Sequence, residues 1–221
     1  MALSKKSSFK CPVFLLPGIV LFPGMDLPLH IFEDKYKDMV TNCIKDKKLF
    51  GVVYTKGNLC ADVGTLAEII SYEELGGGKY NLLAEGKRRF KILDMVSEDP
   101  YYEALVEYYD DKDKVTIKIK ESIKEIKTLS KKALKLFDEV SKQKMSSNIK
   151  LPDDPNELLF LVAANLSCSF DTKQTLLETI SVKDRVKKIT KLLHEEVEKL
   201  EVTLENKKTK PVVETNGHLG L

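Results

Sequence analysis

Five helix breakers fall within the 23 residues of "FLLPGIVLFPGMDLPLHIFEDKY" (Phe14 to Tyr36): Pro17, Gly18, Pro23, Gly24 and Pro28. The stretch is apolar enough to form one helix or a membrane span. Proline, however, removes a backbone donor and fixes φ, so no helix survives that density of interruptions. Short strands and tight turns are what remain. Alternation along a strand turns Val13, Leu15 and Val20 inward. Phe22, Met25, Leu29 and Phe32 lie at or beyond the turns and cannot all share one small core with them.

The following residues, up to about position 110, read mainly as strands. "LFGVVYT" (Leu49 to Thr55), "VGTLAEIISY" (Val63 to Tyr72), "YNLLAEGKRRFKILDM" (Tyr80 to Met95) and "YYEALVEYY" (Tyr101 to Tyr109) are rich in β-branched and aromatic residues. Gly76, Gly77 and Gly78 supply a hairpin loop. One helix interrupts the strands: Phe32, Tyr36, Met39, Val40, Cys43 and Ile44 recur at helical spacing, predicting a helix from Phe32 to Asp46 with a core face.

Past Asp113 the period changes. Ile119, Ile123, Ile126, Ala133, Phe137 and Val140 take four- and three-residue steps, interrupted at Ser130, and predict a helix of about 25–30 residues. "SSNIKLPDDP" is a loop. Asp154, Pro155 and Glu157 then open a second helix, "NELLFLVAANL", apolar on nearly every face and hence buried. Asp171 with Gln174 is expected to cap a third helix. Ser181 with Asp184 caps a fourth, Val182 to about Asn206, striped by Val182, Val186, Ile189, Leu193, Val197, Leu200 and Leu204.

Composition excludes several classes. The 36 basic and 34 acidic residues of this 221-residue chain leave a net charge of +2, too small a field to indicate nucleic acid or an anionic membrane. Lys10 and the prolines spoil any signal-peptide pattern, and no apolar run reaches the length of a membrane span. Cys11, Cys43, Cys60 and Cys168 form no C-x-x-C pair and His30, His194 and His218 are scattered, so neither metal nor other cofactor is expected. The cysteines read as buried free thiols in a reducing, cytoplasmic setting. Phosphate-binding loop, nucleophile elbow and H-E-x-x-H are all missing. "EGKRRF" (Glu85 to Phe90) is the one compact basic cluster. It reads as a solvated turn with a bend at Gly86 rather than an RNA site.

Several segments, in order, resemble the amino-terminal domain of Lon proteases. Leu16, Pro17, Val20, Leu21, Phe22, Pro23, Pro28, Leu29, Ile31 and Glu33 match its opening L-P-L-x-x-x-V-[LV]-F-P-x-x-x-x-P-L-x-I-x-[DE]. "VGTLAEI" and "YNLLAEGKRRFKI" are similar to two further motifs, the latter through Tyr80, Leu82, Gly86, Arg89, Phe90 and Ile92. "LLETISVKDRVKKITKLLHEEVEKLE" resembles the family's last helix. The likeness covers about Phe9 to Glu205.

That resemblance implies an α+β fold: a PUA-like, six-stranded pseudo-barrel with one inserted helix, followed by a C-terminal helical bundle. The implied organisation is a flexible N-terminus (1–8), a PUA-like β domain (9–112), a helical bundle (113–206) and a disordered tail (207–221). Full-length Lon continues into ATPase and serine–lysine protease domains that this sequence does not show, so no catalysis is carried over. What is carried over is recognition of unfolded or extended polypeptide, with an apolar groove at Phe22, Met25, Leu29, Phe32, Tyr72 and Phe90 as its expected site. An adaptor that brings clients to a separate protease or ligase is the alternative.

Overall fold

The computed structural model describes residues 7–144 and 149–209. The expectations for residues 1–6, for 145–148 of the loop and for the tail beyond Thr209 lie outside the described residues. Within them the order is β1 (Ser8–Pro17), β2 (Asp26–Ile31), α1 (Asp34–Asp46), β3 (Phe50–Lys56), β4 (Leu59–Cys60), β5 (Val63–Glu74), β6 (Tyr80–Ser97), β7 (Glu103–Tyr108), α2 (Ile117–Ser141), α3 (Pro155–Asn165), α4 (Phe170–Glu178) and α5 (Val182–Thr209). Seven strands replace the six expected. The prolines split the opening run into β1 and β2, and β4 is a two-residue addition to β3.

The sheet is mixed. β1 runs parallel to β3 and antiparallel to β7, while β7–β6, β6–β5 and β5–β3 are antiparallel. These five strands therefore pair in a circuit, with β2 attached to β6 and β4 to β3 outside it. Cys11, Val13, Val53, Leu66, Phe90, Ala104 and Val106 fill one core within the strands. A Cβ at Gly64 would sit 2.8 Å from the Phe90 ring and 2.4 Å from the Val52 carbonyl oxygen, so only glycine lets the strands close over that ring.

Four irregularities bend β5 and β6. Pairing skips Ile70 in β5 and Lys87, Leu93 and Val96 in β6, leaving each without an opposite residue. Ile70, Leu93 and Val96 are exposed although large and apolar.

A second core joins β1, β2, β3 and the first half of β6 to α1, through Phe14, Leu27, Ile31 and Leu82 against Tyr36, Met39, Val40 and Cys43. α1 begins at Asp34, later than the periodicity suggested. Glu33 is extended as its N-cap, and Phe32 is 57% exposed, stacked on His30 at 5.9 Å. Phe32 thus falls in the short link between the end of β2 at Ile31 and the extended N-cap, outside the helix that its spacing suggested.

A third core holds the helices and reaches the β1–β2 loop at Val20 and Phe22 and the sheet at Val63. α3 is capped as its sequence implies, with Asn156 and Glu157 amides donating to Asp154 Oδ1 at 2.8 and 3.0 Å. α4 is not. It starts at Phe170 with Ser169 as its cap, because Asp171 turns away to accept hydrogen bonds from Tyr54 and Lys56. α5 runs three residues beyond the expected Asn206. α2 buries Ile119, Ile123, Ile126 and Ser130, so the serine that broke the apolar pattern still lies on the buried stripe.

Candidate functional site

The joint between sheet and helices is polar at its centre. Arg89 on β6 and Arg185 on α5 both donate to Asp111 Oδ1, in the segment between β7 and α2. Arg89 also donates to the carbonyls of Leu177 (2.6 Å) and Thr179 (3.2 Å), where α4 ends. Arg185 lies 4.5 Å from the Phe160 ring, and burial lowers its pKa to about 10 against the opposing pull of Asp111. Gln174 and Tyr109 add bonds across the joint, to the carbonyls of Val63 (2.9 Å) and Glu178 (3.1 Å).

This corrects the reading of "EGKRRF" as a solvated turn. It lies mid-strand in β6, and each cation is engaged: Lys87 by Glu85 and Glu68, Arg88 by a bidentate pair with Asp110, and Arg89, 4% exposed, inside the joint. Gly86 supplies the bend. A Cβ there would lie 2.3 Å from the Phe22 carbonyl oxygen.

The six residues expected to line one groove are dispersed. Phe22 and Phe90 are fully buried, in the helical and strand cores respectively, and cannot meet a ligand. Met25 packs half-buried between two cores, and Leu29 flanks the α1 core. Phe32 and Tyr72 are exposed but do not share a face. Tyr72 pairs with Leu82 on the side of α1, whereas Phe32 stacks on His30, whose partner Asn81 points the other way. Strand parity, invisible without the register, separates them.

A cleft that the sequence did not single out opens instead on the helical half. Its volume is about 390 Å³, and Leu134 and Phe137 of α2, Leu161 of α3, Leu193 and Leu200 of α5, and Ile149 line it. Ser130 forms part of the lining, buried, with its Oγ lacking a partner among the described residues. The α2 stripe beyond Ser130 was the available signal: Ala133, Phe137 and Val140 continue an apolar face that α5 does not fully cover, and Phe137 is 42% exposed. Such a cleft can accept apolar side chains.

Cys11 and Cys43 are buried thiols that burial raises to about 12 and 11. Cys60 corrects the expectation of uniform burial, since it is exposed on β4. His30 contacts Asn81 (2.7 Å) and His194 contacts Glu125 (3.3 Å). Among the described residues no His, Cys, Asp and Glu cluster could hold a metal ion, and no helix is long and apolar enough to cross a membrane.

A mixed sheet joined to four helices by a buried charge cluster, with an apolar cleft on the helical side, is the frame of a binding domain. Residues 10–195 match the family described as the ATP-dependent protease La (LON) substrate-binding domain, and the chain belongs to that family. It is 28% identical over 201 residues to a Lon protease of Anaeromyxobacter dehalogenans, covering 87% of this chain and 24% of that protein. It is 30% identical over 211 residues to Lon protease 1 of Hydrogenovibrio crunogenus, covering 87% and 25%. The chain thus spans about a quarter of the length of the curated relatives it matches. In fold it is similar to the N-terminal domain of a Mycobacterium avium complex Lon protease, with a TM-score of 0.67 at 18% identity over 85% of this chain and 99% of that one. The Lon N-terminal domain protein from Xanthomonas campestris gives 0.62 at 21% identity, covering 82% and 96%.

Proposed function

We propose that this chain is a non-catalytic polypeptide-binding module that holds apolar side chains of unfolded or extended protein in the cleft between α2, α3 and α5. The observation that carries this reading is the cleft itself, an open, mainly apolar cavity on the helical half of a chain of the Lon substrate-binding family. The strand circuit, read as a PUA-like pseudo-barrel, serves as its rigid base. The chemistry asked of the site is desolvation of apolar surface, at about 25 cal/mol per Å² buried, and needs no cofactor.

Phe137→Asp places a charge at the cleft mouth while removing a ring that is already partly exposed. Binding of reduced, carboxymethylated α-lactalbumin should weaken at least about tenfold, since one buried aromatic anchor contributes more than about 1.4 kcal/mol. Folding stability should change by about 1 kcal/mol or less. Unchanged binding would remove the cleft from the proposal. ATP and casein should both survive incubation with the purified protein, and hydrolysis abolished by one Ser or His substitution would overturn the non-catalytic reading.

A further inference from the structure

The sheet has two free edges where β2, β6 and β5 lie side by side, and they differ. β2 pairs only with β6, and its edge carries exposed Pro28, which cannot donate to another strand. β5 pairs with β3 only at Thr65, Leu66 and Ala67. From Glu68 to Glu74 its second edge faces no strand among the described residues, although the other edge pairs with β6 along the same length. This segment contains no proline, and Ile70 and Tyr72 stand on it exposed.

We infer that β5 from Glu68 to Glu74 is a strand-addition site for an extended polypeptide segment that alternates apolar and basic residues. The inference rests on the polypeptide-binding reading and assigns it a second surface, distinct from the helical cleft. Unpaired backbone amides and carbonyls in a row select an extended chain regardless of its sequence. Side chains then set the preference. Glu68, Glu73 and Glu74 make the edge acidic, with Lys87 neutralising part of Glu68 at 3.0 Å and Lys79 standing at the hairpin base. Ile70 and Tyr72 offer apolar contacts between those charges.

The same carboxylates argue against a second copy as the occupant. A symmetric antiparallel pairing would lay the acidic row of one copy, Glu68, Glu73 and Glu74, along the same row of the other, and like charges brought together across a strand pair are unfavourable. A strand bearing Lys or Arg reverses that sign.

The test uses the peptide KVKIKVK, labelled with fluorescein, and the full chain. Affinity should exceed that of EVEIEVE by at least about tenfold, and Glu73→Lys with Glu74→Lys should weaken KVKIKVK by a similar factor, both sites being exposed. Two N-methylated forms of the peptide probe the backbone, one methylated on its lysine nitrogens and one on its valine and isoleucine nitrogens. Strand addition uses alternate amides, so one form should bind as the parent does and the other should lose binding. Amide exchange within Glu68–Glu74 should slow at least about tenfold with peptide bound. Equal binding of both methylated forms, or protection only in the helical cleft, overturns strand addition and leaves polypeptide binding intact. Concentration-dependent protection of β5 without peptide would assign the edge to a second copy and overturn the inference. Failure of the unaltered chain to bind either KVKIKVK or unfolded α-lactalbumin overturns both readings.

Discussion

The rings of Phe22 and Phe160 lie with centroids 6.2 Å apart and planes tilted by 41°, the first from the loop after β1 and the second from the middle of α3. This contact carries the helical core into the sheet. Phe22→Ala should therefore cost about 3–5 kcal/mol in chemical denaturation, as for other fully buried phenylalanines. Two separate unfolding transitions in the variant would show that the ring also couples the halves.

Asp111→Asn tests the charge cluster. It leaves two buried guanidiniums facing one neutral amide, and loss of a buried partner typically costs about 3–5 kcal/mol. A loss below about 1 kcal/mol would mean that water already reaches both arginines.

The pH dependence has a defined sign. Burial holds the Arg185 pKa at about 10, below the ordinary guanidinium value, so between the two the unfolded chain binds more protons and this group's contribution to stability rises with pH. Relative to Arg185→Met, the unaltered protein should gain stability as the pH rises above about 10. Asp171 acts in the opposite range. Its carboxyl is held below 3.8, first by the hydrogen bond from Lys56, so its contribution is present above that pH and lost as acid titrates the folded form. Asp171→Asn should flatten the acid limb of the stability curve.

Gly86→Ala should destabilise by about 1–3 kcal/mol or more, because the new methyl would meet a backbone oxygen that cannot rotate away. An alanine tolerated there would require the turn at Phe22 to have moved. That shift would show in the amide exchange of Gly24, which donates to the Gly86 carbonyl at 2.7 Å.

Thiol labelling at pH 8 should separate the cysteines. Cys60 is exposed and reacts first, the half-buried Cys168 follows, and Cys11 and Cys43 wait for unfolding because burial keeps both as thiols. Rapid labelling of four cysteines in the native protein would contradict the strand core and the α1 core together.

Much of the architecture was legible in the sequence because local rules decide it. Asp154 with Pro155 marked the start of α3, and the stripe from Val182 to Val197 marked the buried face of α5. The candidate site was less legible, for a physical reason. Whether Phe22, Phe90, Phe32 and Tyr72 meet depends on which strands pair and in which register, and nothing within four residues of any of them encodes that. Met25 shows the difference in one side chain. Its placement between two cores makes Met25→Ala worth about 2 kcal/mol, near the low end for buried methionine, rather than the near-zero cost of an open groove. Arg89 escaped for a similar reason, since three basic residues in a row look solvated until the carboxylate 22 positions later comes into reach.

The bulges of β5 and β6 also bear on how such a chain can change length over generations. At Ile70, Lys87, Leu93 and Val96 the strand already carries one residue more than its partner. Losing one of these four restores plain alternation and leaves every neighbour on its present side, whereas losing any adjacent paired residue exchanges inward for outward until the next bulge absorbs the error. Single-residue deletions in this hairpin should thus survive at four sites and be purged between them, even where substitutions at those intervening sites are mild.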